Sequence, residues 1–233
     1  MMVSGEDYQR IAQTLSDVWG LLTDDERQLL VERISVKRYQ KNDVIYHEGD
    51  TPCCLFCPSK GKVKIYKEGV GGRQQIMRMV KPKEFFGYRA SFVGENYITE
   101  AGAFEESTLL CIPLSVAKKI ITDNHEVTIY FLRQLAYYLG IAEENTVNLT
   151  QKHIRGRLAE ALLRLKKSFG TTENGRTLAI TASREDLANL SNMTTSNAIR
   201  TLSAFAQEGV LKIDGRKITI LNEEELTLIS ATG

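Results

Sequence analysis

The chain has little that would mark an enzyme, a membrane protein or a metal centre. No run of about 18 apolar residues exists, which excludes a transmembrane helix. The start, Met-Met-Val-Ser-Gly-Glu-Asp, lacks the apolar core of a secretory signal, so a cytoplasmic protein is expected. Only three histidines are present, His47, His125 and His153, and they are scattered. No Gly-x-Ser-x-Gly elbow or phosphate loop accompanies them, so the sequence gives no support to an enzyme. Cysteine is sparse: Cys53, Cys54, Cys57 and Cys111. Three of the four lie within five residues, but no further Cys or His stands at a finger-like spacing, so free thiols are expected and no metal ligand is assigned. Charge of one sign is also missing. Thirty Lys and Arg against 29 Asp and Glu leave a net charge of +1. Any contact with nucleic acid must therefore rest on a local patch.

What is present begins with an ordinary composition, 42% hydrophobic and 25% charged, over 233 residues. That length holds two domains, each with its own core. The most informative stretch is 183–209. Ser183 followed by Asp186 opens a short helix over Arg184–Leu190, with Leu187 and Leu190 on one face. Ser191-Asn192-Met193 forms a turn with one apolar plug. Thr194 is placed to cap a second helix whose buried stripe is Ala198, Leu202 and Phe205. Thr195, Ser196, Asn197 and Arg200 are left outside. A helix-turn-helix with its second helix in the DNA major groove has this layout, and so does a buried helical hairpin.

Gly209 stops the second helix. Two β-rich runs follow, around Val210–Ile213 and Ile218–Leu221, joined at Asp214-Gly215. Leu178-Ala179-Ile180 can supply a third strand. Arg216 and Lys217 at the tip suit phosphate contact, or an ordinary solvated turn. With the helices, the hairpin makes a winged helix. The basic residues cluster on this side, from Lys152 and Arg155 to Lys217.

The N-terminal half reads differently. Asp17–Ile34 looks like one helix, and 43–112 reads as short strands punctuated by glycine: Val44–Tyr46, Leu55–Cys57, Lys62–Tyr66, Gln74–Val80, Tyr97–Phe104 and Thr108–Ile112. Gly87 after Phe85-Phe86 either turns the chain or opens a short helix whose N-terminus could hold an anion. Between the halves, Asn124–Leu149 has no proline. Its Leu132, Leu135, Leu139, Ala142, Thr146 and Leu149 are spaced 3, 4, 3, 4, 3. That pattern fits a helix paired between subunits, or one amphipathic helix docked inside the monomer. Tyr130, Phe131, Tyr137, Tyr138 and Ile141 lie off the seam and are expected to pack on the β domain. Gln151-Lys152-His153 breaks the pattern, and Ile154–Phe169 is a further helix.

A β-roll, a long helix and a winged helix in that order resemble the CRP/FNR family of bacterial transcription regulators, typified by the cyclic AMP receptor protein and the fumarate–nitrate regulator. The resemblance is carried by Tyr46-His47-Glu48-Gly49-Asp50, Ser59–Tyr66, Phe85-Phe86-Gly87 and the 183–221 segment. It implies an α+β fold: an N-terminal helix and a cyclic-nucleotide-binding-like β-roll (jelly roll) over 1–123, a dimerisation helix over 124–150 and a winged helix-turn-helix over 151–233. It implies a homodimer on palindromic double-stranded DNA, acting with RNA polymerase, and a small effector of unknown identity sensed by the β-roll. The DNA-contacting residues are then Ser183, Arg184, Thr194, Thr195, Ser196, Asn197, Arg200, Arg216 and Lys217. The effector pocket is drawn from Phe86, Gly87, Tyr88, Arg89, Ala90, Ser91, Ile98 and Thr99. A regulatory module that binds a ligand without binding DNA is the alternative.

Two departures bear on the signal. Cyclic-nucleotide-binding members carry Glu after the Gly that ends the aromatic pair, and further on an Arg-Ser or Arg-Thr pair for the phosphate. This chain has Tyr88 and then Ile98-Thr99, with Glu100 beside them. Cyclic AMP is therefore not expected to bind with useful affinity. Iron–sulfur members carry most of their cysteines ahead of the β-roll, where this chain has none.

Overall fold

The computed structural model describes residues 5–69 and 71–233. It divides into two compact units, Met1–Glu68 with Met77–Leu139, and Gly69–Ile76 with Gly140–Gly233.

The first unit opens with α1 (Gly5–Thr14), α2 (Ser16–Trp19) and α3 (Asp24–Arg33). The single helix expected over 17–34 is thus two helices. The reason is local: Gly20 follows α2, and Thr23 caps α3 through a reciprocal pair of hydrogen bonds with Glu26. Thr23 N–H donates to Glu26 Oε2 at 2.8 Å, and Glu26 N–H donates to Thr23 Oγ1 at 3.3 Å.

The chain then runs as β1 (Ser35–Tyr39), β2 (Val44–Tyr46), β3 (Cys54–Lys60), β4 (Val63–Glu68) and β5 (Gln74–Val80). A short helix α4 (Tyr88–Val93) precedes β6 (Glu100–Ala103) and β7 (Ser107–Pro113). One sheet has the order β1-β7-β3 and the other β2-β6-β4-β5, which is the β-roll. Strand β1 falls between the expected helix and the first expected strand, where no element was expected. The expected strand over 97–104 shrinks to β6.

Two cores fill this unit. Tyr46, Phe56, Val63, Phe86, Tyr97 and Leu109 pack together inside the roll. Leu15, Leu30, Leu55, Leu110, Ile120 and Phe131 form the other, under the N-terminal helices, α5 (Leu114–Asp123) and the start of α6 (His125–Gln151). Helix α6 realises the long helix within a residue or two at each end. Leu135 packs against the second core, so it faces inward, while Leu132 and Leu139 stand 55% and 62% exposed. Tyr130 and Phe131 pack back as expected, and Tyr138 lies under Arg78. Tyr137 does not pack back: it is 60% exposed.

The second unit holds α7 (Ile154–Phe169), after a break at Lys152-His153. Then come α8 (Arg184–Leu190), α9 (Thr195–Gln207), β8 (Leu211–Asp214), β9 (Lys217–Ile220) and α10 (Glu223–Thr232). Leu158, Leu162, Leu187, Ala198, Leu202, Phe205, Leu211 and Leu226 are each at most 1% exposed and make its core. These side chains come from four helices, α7, α8, α9 and α10, and from the hairpin, so one core ties all five elements together. The third strand expected at 178–180 is only a bridge. Leu178 N–H donates to Ile218 O at 2.9 Å and Ile220 N–H to Arg176 O at 3.0 Å. The chain then curls away, with Ala179 N–H turning to Gly170 O.

Candidate nucleic-acid interface and sensor site

Helix α8 starts because Ser183 and Asp186 cap it reciprocally. Ser183 Oγ accepts from Asp186 N–H at 3.0 Å and donates to Asp186 Oδ2 at 2.6 Å. Helix α9 starts because Thr194 Oγ1 accepts from Asn197 N–H at 3.2 Å. Ser183 and Thr194 therefore hold the two helices in place with the hydroxyls assigned to DNA. Met193, 2% exposed, plugs the turn between them.

On α9 the buried stripe leaves Thr195, Ser196, Ile199, Arg200 and Ser203 exposed. The Arg200 guanidinium donates to Asn197 Oδ1, one turn back. Arg and Asn can both present hydrogen bonds to base edges, so this pair is a polar lip at the N-terminal end of the helix. Ile199, 46% exposed, is absent from the residues expected at the interface, because spacing alone marks it as neither core nor polar.

The hairpin turn is Gly215-Arg216, since Asp214 pairs with Lys217. The turn sits one residue later than expected. Arg216 is at the tip and Lys217 begins β9, both exposed. Arg184 reaches this turn: its Nη2 donates to Gly215 O at 2.9 Å, 31 residues away. Its Nη1 is buried without a protein partner. Arg184 thus ties the start of α8 to the wing.

Several basic residues of this unit are occupied elsewhere. Arg155 makes a two-pronged contact with Glu208 at 2.9 and 2.7 Å and lies over the Phe205 ring. Lys152 donates to Glu160 at 3.1 Å, and Lys166 pairs with Glu223. The exposed cations near the motif are Arg176, Arg200, Lys212, Arg216 and Lys217. A local positive edge results in a protein of almost no net charge.

In the β-roll the eight expected pocket residues divide: Phe86 and Ala90 share a core with Tyr46 and Tyr97, Gly87 lies beside Tyr97, and Thr99 hydrogen-bonds Tyr46, whereas Tyr88 enters the other core and Arg89 and Ile98 are exposed. Phe86 is fully buried and stacks on Phe56, ring centres 5.2 Å apart. Gly87 (φ +86°) opens α4, and a Cβ there would lie 2.9 Å from Phe56 Cδ2, so glycine is required. Tyr88 turns into the other core, against Phe131 at 5.3 Å. Ala90 and Ser91 are also buried, and Ser91 Oγ donates to Tyr88 O. Arg89 points out, 3.7 Å from Glu95. Ile98 is half exposed, and its carbonyl accepts from Lys67. Thr99 is partly buried beside it.

The interior of the roll is aromatic. Tyr46 stacks on Tyr97 at 3.7 Å, a pair missed in the sequence because the two rings come from segments 51 residues apart. Burial pushes the Tyr46 phenol up to about 12. Glu100 accepts from Tyr66 at 3.1 Å and lies 3.5 Å from His47 Nδ1. The Tyr66 phenol, buried and beside that carboxylate, rises to about 12.

Of the cysteines, Cys53 is exposed and Cys57 buried. Burial lifts the Cys54 thiol to about 12 and the Cys111 thiol to about 11, so both stay protonated at neutral pH. Among the described residues no group of three or more His, Cys, Asp or Glu side chains could hold a metal ion. Nor is any described helix long and apolar enough to cross a membrane.

Comparison with known proteins gives two family matches. Residues 36–124 match the cyclic nucleotide-binding domain, and residues 156–229 match the Crp-like helix-turn-helix domain. The CRP-like cAMP-activated global transcriptional regulator of Mycobacterium tuberculosis is 26% identical over 199 residues, 84% of this chain and 88% of that protein. The fumarate and nitrate reduction regulatory protein of Vibrio cholerae is 26% identical over 203 residues, 87% of this chain and 80% of that protein. The structure of FixK2 from Bradyrhizobium japonicum superposes with a TM-score of 0.77 at 24% identity, covering 86% of this chain and 98% of that one.

Proposed function

The chain belongs to the CRP/FNR family of DNA-binding transcription regulators, and on that premise we propose that it acts as a homodimer on a palindromic double-stranded operator. Each protomer lays α9 in the major groove, with Thr195, Ser196, Asn197 and Arg200 at the base edges. Arg216 and Lys217 meet phosphate. Ser183, Thr194 and Arg184 hold these groups in position. The observation that carries this reading is the pair of capped helices, whose buried stripe leaves a polar, cationic edge beside an anchored basic wing.

The dimer contact uses α6. Leu132, Leu139, Ala142 and Thr146 are exposed on it and Leu149 partly so, while Leu135 contributes from its flank. Two exposed leucines on one helix face need a cover, and a second copy of the same helix supplies one. The dimer then acts with RNA polymerase, and no catalytic step is part of the reading.

The β-roll senses a small effector other than a cyclic nucleotide. The Tyr46–Tyr97 stack and the Phe56–Phe86 pair fill the roll. A carboxylate, Glu100, stands beside Ile98-Thr99, where family members place the phosphate partner. The activation by cAMP in the mycobacterial relative's name is not carried over.

Selection of bound duplexes from a random pool tests the DNA reading; failure to enrich any sequence would overturn it. Calorimetry with cyclic AMP and cyclic GMP tests the second. Micromolar binding of either places a nucleotide in the roll and refutes the reading.

A further inference from the structure

Ile199 stands out on α9. Every other large apolar side chain of this helix, Leu202 and Phe205, is buried to within 1%, whereas Ile199 is 46% exposed. Ser196, Ile199, Arg200 and Ser203 are spaced i, i+3, i+4 and i+7, so they share one face, and all four are exposed. A β-branched apolar residue in the middle of that face gains nothing for the helix and costs something in water. Its immediate neighbours are the groups assigned to base edges.

The floor of the major groove is lined with hydrogen-bonding atoms, with one apolar exception, the C5-methyl of thymine. An isoleucine pressed against any other base edge would desolvate a donor or acceptor and return nothing. Against a thymine it buries methyl on methyl. We propose that Ile199 is a specificity-determining residue that reads a thymine methyl group, in the base pair next to the one Arg200 contacts. This rests on the reading that α9 lies in the major groove.

The test uses the full-length protein and the operator it selects from a random pool. Each thymine of a half-site is replaced in turn by deoxyuridine, which removes only the methyl group. Wild-type protein should lose about fourfold in affinity at one position per half-site, the worth of one buried methyl. Ile199→Ala should bind thymine and uracil operators equally, and Ile199→Val should keep most of the discrimination. Because the side chain is exposed, both variants should melt with the wild type. The proposal is overturned if no thymine is sensitive, or if Ile199→Ala keeps the full thymine preference. A wild-type protein that enriches no sequence removes the groove reading itself, and the thymine assignment with it.

Discussion

Replacing Arg184 separates two ways a cation can serve DNA binding. If Arg184 contacts phosphate, its loss removes one counterion-releasing contact per protomer. The slope of log affinity on log salt then falls by about 0.9 per protomer, close to two for a dimer. The hydrogen bond to Gly215 O at 2.9 Å points to another role, anchoring the wing. A charge-assisted hydrogen bond is worth roughly 1.5–3 kcal/mol when shielded. Arg184 is only partly buried, so about 1 kcal/mol is the better figure. That lowers the ratio of ordered to disordered wing about fivefold, so binding weakens by up to about fivefold per protomer and up to about 25-fold for a dimer. The loss should be equal on cognate and scrambled duplexes, and the salt slope should change by less than about one unit, since Arg216 and Lys217 remain. Arg184→Lys is decisive. It keeps a charge that can reach a phosphate but lacks the fork that spans to Gly215, so it should behave like Arg184→Met. Fluorescence anisotropy over a salt series measures the binding, and amide exchange of 217–220 reports the wing. If Arg184→Lys retains wild-type affinity and exchange while Arg184→Met loses two units of slope, the anchor role is wrong.

Arg200→Ala should cost roughly 1–3 kcal/mol on the cognate site and relax preference at one base pair per half-site, whereas Lys217→Ala should weaken all duplexes alike and lower the salt slope by about 0.9 per protomer, close to two for a dimer. Equal losses for Arg200→Ala on cognate and scrambled DNA would move base reading to Thr195, Ser196 or Asn197. Leu132→Asp with Leu139→Asp should give a monomer in sedimentation, since each places a carboxylate where the apolar helix face needs cover; an unchanged dimer would put the interface elsewhere. Tyr39, Tyr46 and Tyr66, each raised to about 12 chiefly by burial, contribute stability that is intact below about pH 10 and lost between about 10 and 12. Tyrosinate absorbance should therefore rise for these phenols only as circular dichroism shows unfolding. Ordinary titration near pH 10 in a folded protein would contradict this. Finally, Tyr138→Leu should cost about 2–3 kcal/mol in urea unfolding, because it strips both the ring and the hydroxyl from a partly buried Arg78; Tyr138→Phe, which keeps the ring, should cost about 1.

The winged helix was legible because its signals are local. Ser183 with Asp186, Thr194 with Asn197, and Gly209 all act within one turn of where they stand. The dinucleotide Asp214-Gly215 marked the hairpin but not its register, which the Asp214–Lys217 pair shifts by one residue. At the N-terminus the break between α2 and α3 was written in Thr23-x-x-Glu26, yet the leucines on both sides keep a helical period and conceal it. Strand β1 has no alternation to find, four of its five residues being exposed. The α6 seam was half legible. Spacing alone ranks Leu135 with Leu132 and Leu139, and only packing on the N-terminal core turns Leu135 inward. The candidate sensor pocket was least legible, because its aromatic filling comes from residues far apart in the chain.

The other core, which joins the roll to α6, bears on how a signal could act within the first unit. In this chain Tyr88, which stands where cyclic-nucleotide-binding relatives carry their Glu, is buried against Phe131 of α6. Arg78 of β5 covers the same helix about two turns on, its guanidinium 3.5 Å from the Tyr138 ring centre and donating to the phenol and to Phe85 O. Phe85 closes the triangle against Tyr130 and Phe131. The β-roll thus grips α6 through side chains of its own. An event that moves α4 or β5 has a direct path to the long helix without a nucleotide between them, because a packed aromatic cluster cannot yield at one ring and leave the next unmoved. Substitution within the Arg78–Tyr88–Tyr138 cluster, where roll and helix meet, therefore tests whether the roll and α6 move together.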